Sequence, residues 1–120
     1  MTGHVRYQGP DARGIARVEI DHQGKLNALS VAMWSELRDV FDALRGADAP
    51  PRVVIVHGAG GAFVAGADIE EFPRFRFAED TLRSYHDSLV APALRAMLDV
   101  DVPLVARIEG PCVGGGLEIA

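Results

Sequence analysis

Three consecutive glycines, Gly114-Gly115-Gly116, stand between a strand-like run and the segment Leu117-Glu118-Ile119-Ala120, and they constrain this chain more than any other feature. Glycine tolerates positive φ and lets a ligand or another chain segment approach its backbone closely. A strand that enters such a turn, with a helix leaving it, presents amide hydrogens that have no acceptor within the helix. Those amides can hold a negative oxygen, and Glu118 places an acid/base candidate beside them. The few residues after Gly115 are too short to complete the helix that they begin. The 120 residues are therefore expected to be the amino-terminal part of a longer polypeptide, with residues 1–120 forming part of one domain.

Hydrophobic residues make up 48% of the chain, enough apolar material for a sizeable core at this length. The formal net charge is −5, and the arginines are scattered among acids without forming a basic stripe. Nucleic acid is accordingly not an expected partner. Residues 1–10 contain no apolar run of the kind a leader carries, and no apolar run approaches about 18 residues. Neither a leader nor membrane insertion is expected, and the location implied is cytoplasmic. The lone Cys112 cannot form an intrachain disulfide, which suits a reducing compartment, and it reads as a buried packing thiol.

Taken in order, Val5 and Tyr7 followed by Ile15-Ala16-Arg17-Val18-Glu19-Ile20 predict a hairpin through the turn-rich residues 9–14. Ala16, Val18 and Ile20 would share one face. Ser30 is a good N-cap for a helix whose stripe is Met33, Leu37, Val40, Phe41 and Leu44. Gly46 and Pro50-Pro51 end it. The β-branched run Val53-Val54-Ile55-Val56-His57 predicts a central strand covered on both faces. A second glycine concentration follows in residues 58–68, then a turn of helix at 69–72 capped by Asp68 and closed by Pro73. Arg74-Phe75-Arg76-Phe77 is ambiguous. From Asp80 a helical stripe comprises Leu82, Tyr85, Leu89, Ala93, Leu94, Met97 and Leu98, with a break or kink near Val90-Ala91 imposed by Pro92. Residues 104–108 are the last strand. The resulting order is α/β, with parallel strands joined by crossover helices in its second half.

Several chemistries fail on spacing. Residues 60–66 are followed by Ala67-Asp68 without the Lys-Ser/Thr pair of a phosphate-binding loop, and Asp68 is too close to Gly58-Ala59-Gly60 to serve as a dinucleotide ribose acid. No Gly-x-Ser-x-Gly elbow occurs. His4, His22, His57 and His86 lack ligand spacing, so no metal is expected, and His57 and His86 read as ordinary satisfied histidines. Asp68, Glu70 and Glu71 read as helix-start acids. What remains is stabilisation of an oxyanion by paired backbone amides with a carboxylate nearby. On physical grounds alone Glu118 serves equally as that carboxylate or as an early-helix glutamate that stabilises the helix dipole.

The strings Gly24-Lys25-Leu26-Asn27-Ala28-Leu29-Ser30, Gly61-Ala62-Phe63-Val64-Ala65-Gly66-Ala67-Asp68-Ile69, residues 103–110 and Gly114-Gly115-Gly116-Leu117-Glu118 together resemble the amino-terminal part of the enoyl-CoA hydratase/isomerase, or crotonase, superfamily. No one string is specific; their order and spacing over essentially the whole chain are. The resemblance implies a crotonase-like spiral of ββα units, here incomplete. It implies an acyl-CoA thioester as substrate, with coenzyme A entering only as part of that substrate and no separate cofactor. The amides of Ala67 and Gly115 would form the oxyanion hole, and Glu118 would be the first of two catalytic glutamates. Lys25, Leu26, Ala28, Ala65, Gly66, Asp68, Ile69 and Gly114 would bind the substrate. The implied activity is that of a lyase of fatty acid metabolism, an enoyl-CoA hydratase, with an enoyl-CoA isomerase or a noncatalytic acyl-CoA-binding oligomer as alternatives. A homotrimer or dimer of trimers is the implied assembly, and the 120 residues alone are expected to be inactive. One departure stands out: Glu109-Gly110 replaces the more common Asn-Gly.

Overall fold

β1 (His4–Gln8) and β2 (Ile15–Asp21) form the expected antiparallel hairpin, with Val5 opposite Ile20 and Tyr7 opposite Val18. The structure is a computed structural model that describes residues 2–74 and 79–120. After β2 come α1 (Val31–Arg45), β3 (Val53–Gly58), a 3-10 turn (Ile69–Arg74), α2 (Glu79–Tyr85), a π turn (His86–Val90), α3 (Ala91–Leu98), β4 (Leu104–Arg107) and α4 (Gly115–Ile119). Sheet order is β1-β2-β3-β4, with β3 parallel to both β2 and β4. Phe75, Arg76 and Phe77 of the ambiguous stretch lie outside the described residues.

One face of the sheet carries the core. Ala16, Val18, Ile20, Val54 and Val56 are buried beneath Met33, Trp34, Leu37, Phe41 and Leu44 of α1, and α3 adds Ala93, Ala96 and Met97. Ser30 caps α1 as expected, its Oγ accepting from the Met33 N–H at 3.2 Å. A second cap was not visible in the sequence: the Glu71 carboxylate accepts from the Val31 N–H at 2.8 Å. It ties the start of α1 to the 3-10 turn, satisfying one of the donors that a helix start leaves open.

Three expectations need correction. β3 is central, but only Val54 and Val56 are fully buried; Val53 and Ile55 on its other face are half-exposed, because no described element packs over that face. The turn after Asp68 is 3-10 and runs through Pro73 to Arg74, so Pro73 lies inside it. In the long helical segment the break falls where Pro92 requires it, but it is made by a π turn that ends just before α3. Within α3, Ala93, Ala96 and Met97 face the core at three-and-four spacing, while Leu98, expected there, lies five residues past Ala93 and is 81% exposed. In α1, Val40 is only half-buried. Cys112 is likewise half-buried at the edge of the core.

Candidate active site

The two glycine-rich loops meet. Between them runs the segment 63–68, bridged in parallel to Cys112 at Val64 and to Leu29 at Ala67, with Gly66 at φ +104° between the two bridges. Its hydrogen bonds go to one loop in the first half and to the other in the second. Phe63 and Val64 donate to the Pro111 carbonyl, and the Val64 carbonyl accepts from Val113 at 3.0 Å. In the second half Ala65 donates to Leu26, Asp68 donates to Leu29 at 2.9 Å, and the Gly66 carbonyl accepts from Leu29 at 2.8 Å. The Gly66 carbonyl points to Leu29, and across a trans peptide the following N–H points the opposite way, so the Ala67 N–H is turned away from Leu29. Neither the Ala67 N–H nor the Gly115 N–H makes a hydrogen bond among the described residues.

Each glycine of the triplet answers a different constraint. Gly114 has φ +54°, which a side chain disfavours. A Cβ on it would stand 3.7 Å from the Gly66 Cα, which measures how closely the two loops pass. A Cβ on Gly116 would collide with the Val64 carbonyl, the group that already accepts from Val113. At Gly115 the obstacle is a side chain, the indole of Trp34. Gly116 is therefore spacing, Gly114 is turn geometry, and Gly115 is pressed from behind while its N–H stays uncommitted.

A groove of about 330 Å³ opens beside the first loop, lined by Gly24, Lys25, Leu26, Ala28, Ala65, Ala67, Asp68, Ile69 and Glu70. Of the residues expected to bind substrate, Lys25, Leu26, Ala28, Ala65, Asp68 and Ile69 gather here, whereas Gly66 is buried and Gly114 stands outside this lining. Glu118 is also elsewhere. It is exposed and lines a separate hollow of about 500 Å³ with Leu94, Met97, Leu98, Leu104, Ile119 and Ala120. The groove carries Ala67 and the hollow carries the helix that Gly115 begins, so each recess borders one of the two loops, the groove with Lys25, Asp68 and Glu70 among its apolar lining and the hollow with Glu118.

Asn27 does more here than the sequence suggested. Its φ of +59° is tolerated because asparagine visits that region more readily than most residues. Its side-chain oxygen accepts from the His22 N–H at 2.9 Å, and its amide donates to the carbonyls of Ala59 at 2.8 Å and Ala62 at 3.1 Å. A buried amide that satisfies three backbone groups pins the groove wall to the loop after β3. The enrichment of Asn at positive φ was the one signal in the sequence for this role. His57 is satisfied as expected, its Nδ1 accepting from Arg107 at 3.1 Å, while His86 is exposed with its ring edge-on to Tyr85.

At the groove rim the Lys25 ammonium donates to Asp68 at 2.8 Å and to Glu70 at 2.9 Å. Asp68 also caps the 3-10 turn through the Glu70 N–H at 3.1 Å. Burial pushes the Asp68 carboxyl up. The Lys25 and Glu70 hydrogen bonds and the nearby positive charge outweigh that, holding it below its ordinary 3.8. Lys25 is held above its ordinary 10.5 chiefly by the Asp68 hydrogen bond. A lowered carboxyl stabilises the fold above its unfolded pKa, and that contribution is lost as pH falls through the folded value. The stabilisation from the raised lysine is complete below 10.5 and is lost as pH rises through its folded value. Wild type is thus expected to exceed Asp68→Asn in Tm at pH 6. The gap should shrink as pH drops below 3.8, as measured by thermal melts across that range. A gap independent of pH would show that the ion pair is not its source.

No three His, Cys, Asp or Glu side chains are grouped to hold a metal ion among the described residues. Nor is any helix among them long and apolar enough to cross a membrane.

The enoyl-CoA hydratase/isomerase family model matches residues 11–120, taking in both glycine loops and Glu118. The chain belongs to the enoyl-CoA hydratase/isomerase family. It is 36% identical over 112 residues to the fatty acid oxidation complex subunit alpha of Idiomarina loihiensis, covering 89% of this chain and 15% of that one. To a probable enoyl-CoA hydratase of Bacillus subtilis it is 37% identical over 103 residues, covering 82% of this chain and 37% of the relative. The solved structure of an enoyl-CoA hydratase/carnithine racemase from Magnetospirillum magneticum superposes with TM-score 0.86 at 36% identity, over 97% of this chain and 42% of that one. The chain thus spans well under half the length of these relatives. Its fold is the α/β crotonase architecture of ββα units, and its sheet is open, as an incomplete spiral would be.

Proposed function

We propose that the full-length protein is an enoyl-CoA hydratase. Conjugate addition of water places oxygen on C3 of a 2-enoyl thioester, drives the electron pair through C2 onto the thioester oxygen, and then requires a proton at C2. The enolate oxygen is where charge develops, so donors aimed there lower the barrier. The observation that carries the reading is the pair of uncommitted amides, Ala67 and Gly115, on two loops that are joined by the Val113 N–H to Val64 carbonyl bond and leave no more than the room of a methyl group between Gly114 and Gly66. Glu118 follows on the same helix turn as Gly115 and serves as the acid/base that activates water.

The substrate lies across the crossing. Its CoA portion occupies the groove of Lys25, Leu26, Ala28, Ala65, Asp68 and Ile69, with Gly66 and Gly114 contributing backbone where the thioester passes. Its acyl chain enters the apolar hollow beside Leu94 and Met97. The second glutamate of a hydratase is assigned to polypeptide outside these 120 residues. A trimeric or paired-trimer assembly belongs to the same proposal, and the exposed Val105, Ile108, Val113 and Leu117 supply apolar surface for further polypeptide or a neighbouring subunit to cover. Light scattering on the full-length protein measures that state directly.

Isomerase is the second reading, favoured by one feature: Glu118 is the only carboxylate among the described residues lining an otherwise apolar hollow, and a single base suffices to shuttle a proton between C2 and C4. Full-length protein should remove the conjugated-thioester absorbance of crotonyl-CoA and yield a 3-hydroxyacyl-CoA. Formation of a conjugated product from 3-hexenoyl-CoA without hydration would replace hydratase by isomerase. Tight acyl-CoA binding with neither reaction would leave a noncatalytic binding protein.

A further inference from the structure

Trp34 touches the proposed oxyanion site from behind. A Cβ placed on Gly115 would stand 3.0 Å from Trp34 Cζ2, 3.3 Å from its Cη2 and 3.9 Å from Leu29 Cδ1. The benzo edge of the indole therefore forms the surface against which Gly115 rests. On the same long edge of the indole, one atom away from Cζ2, Trp34 Nε1 donates to the Tyr85 hydroxyl at 2.9 Å. Both side chains are buried, Trp34 at 1% and Tyr85 at 7% exposure. Indole N–H is donor only, so this bond fixes the ring plane in one sense and cannot be replaced by the ring's own packing.

The same wall reaches the other loop. Leu29, whose side chain joins Trp34 behind Gly115, is the residue whose backbone pairs with Ala67. One short stretch, Leu29 and the first turn of α1, thus backs one amide and holds the other. We infer that Trp34, locked by Tyr85, is a positioning residue that sets the Gly115 N–H against the Ala67 N–H for oxyanion binding. This rests on the hydratase reading of the two amides. Burial raises the Tyr85 phenol, the Trp34 hydrogen bond opposes that, and the charges of Glu71 and Glu118 add to it, with a net rise. The phenol stays neutral through the range in which an enoyl thioester is stable, so the bond is present whenever the site works.

The role predicts a separation between kcat and KM. Preorganised donors act where charge develops, and displacements well below 1 Å matter, so loosening the indole should cost turnover more than substrate binding. The variants are Tyr85→Phe, which keeps the ring and deletes the acceptor, Trp34→Phe, and their combination, all in the full-length protein. The spectroscopic probe is cinnamoyl-CoA, whose absorbance moves to longer wavelength when its carbonyl is polarised. Tyr85→Phe should lower kcat about tenfold with KM within about twofold, and should reduce the red shift of each bound cinnamoyl-CoA. The double variant should lose less than the product of the single losses, because both single variants delete the shared Trp34–Tyr85 bond.

A Tyr85→Phe protein with fewer binding sites but an unchanged shift per bound ligand would show a merely structural role and overturn the inference. Additive losses in the double variant would do the same. Absence of any shift with wild-type protein would overturn the oxyanion reading itself, and a wild-type shift retained in every variant would overturn only the role of Trp34 and Tyr85.

Discussion

Replacing Glu118 with glutamine is expected to lower hydration of crotonyl-CoA by about 10²–10⁴ in kcat while acyl-CoA binding is largely kept. Glutamine has the same shape and hydrogen-bonding reach, so the helix start, with Glu118 N–H donating to the Gly114 carbonyl at 3.1 Å, should be undisturbed. What it lacks is a basic oxygen that can accept a proton and return it. Binding survives because the groove at Lys25, Asp68 and Ile69 is lined without Glu118. The comparison is direct: initial loss of conjugated-thioester absorbance for wild type and variant, with CoA affinity measured separately by calorimetry. Equal turnover would take Glu118 out of the mechanism and return it to the role of a helix-start glutamate that favours the dipole.

Deleting one oxyanion donor should be nearly as costly. Ala67→Pro replaces the N–H by a ring carbon, while the bonds that hold this segment, Leu29 N–H to Gly66 and Asp68 N–H to Leu29, belong to its neighbours. The glycine before it, at φ +104°, carries no Cβ to clash with the proline ring. A fall of at least about 10²–10³ in kcat/KM is expected, from the lost donor together with the ring carbon that stands in its place. Ala67→Gly keeps the N–H and should keep turnover within a fewfold. Circular dichroism and Tm report whether the proline variant is folded. A folded Ala67→Pro enzyme with wild-type kcat would exclude this amide from the site, whatever becomes of Glu118.

The two substitutions probe the reading from opposite sides of the loop crossing. Glu118 faces the hollow beside Leu94 and Met97, and Ala67 faces the groove beside Lys25. Loss of turnover in both, with binding retained, requires one reacting centre between two recesses. Loss in only one would break that geometry.

Much of the fold was legible in the residues alone. Period-two alternation at Ala16, Val18 and Ile20 marked the buried face of β2, and the Ser30 cap with a three-and-four stripe marked α1, because local propensity and the core requirement agreed there. Pro92 marked the helix break by removing a donor, although the π turn that absorbs it has no local signature, and three-and-four spacing from Ala93 buries Ala96 and leaves Leu98 exposed. The expected groove residues largely gathered, since they are neighbours in just two loops. Trp34 was absent from the predicted stripe, and Glu71 read as one more helix-start acid. Trp34 bonds Tyr85 at a separation of 51 residues and Glu71 bonds Val31 at a separation of 40, which no local pattern reports.

The sequence by itself determined that this chain would carry strands ending in glycine loops, helices between them that each have one apolar stripe, and Glu118 immediately after the last loop. These follow from backbone freedom at glycine and from spacing of apolar residues along a single segment. The tertiary structure alone decided that the two loops pass within contact of each other, that Ala67 and Gly115 keep their N–H groups uncommitted among the described residues, and that the indole of Trp34 stands behind one of them. Those are relations between segments remote in sequence, set by which backbone bonds are already satisfied and by how closely a glycine lets its neighbour approach.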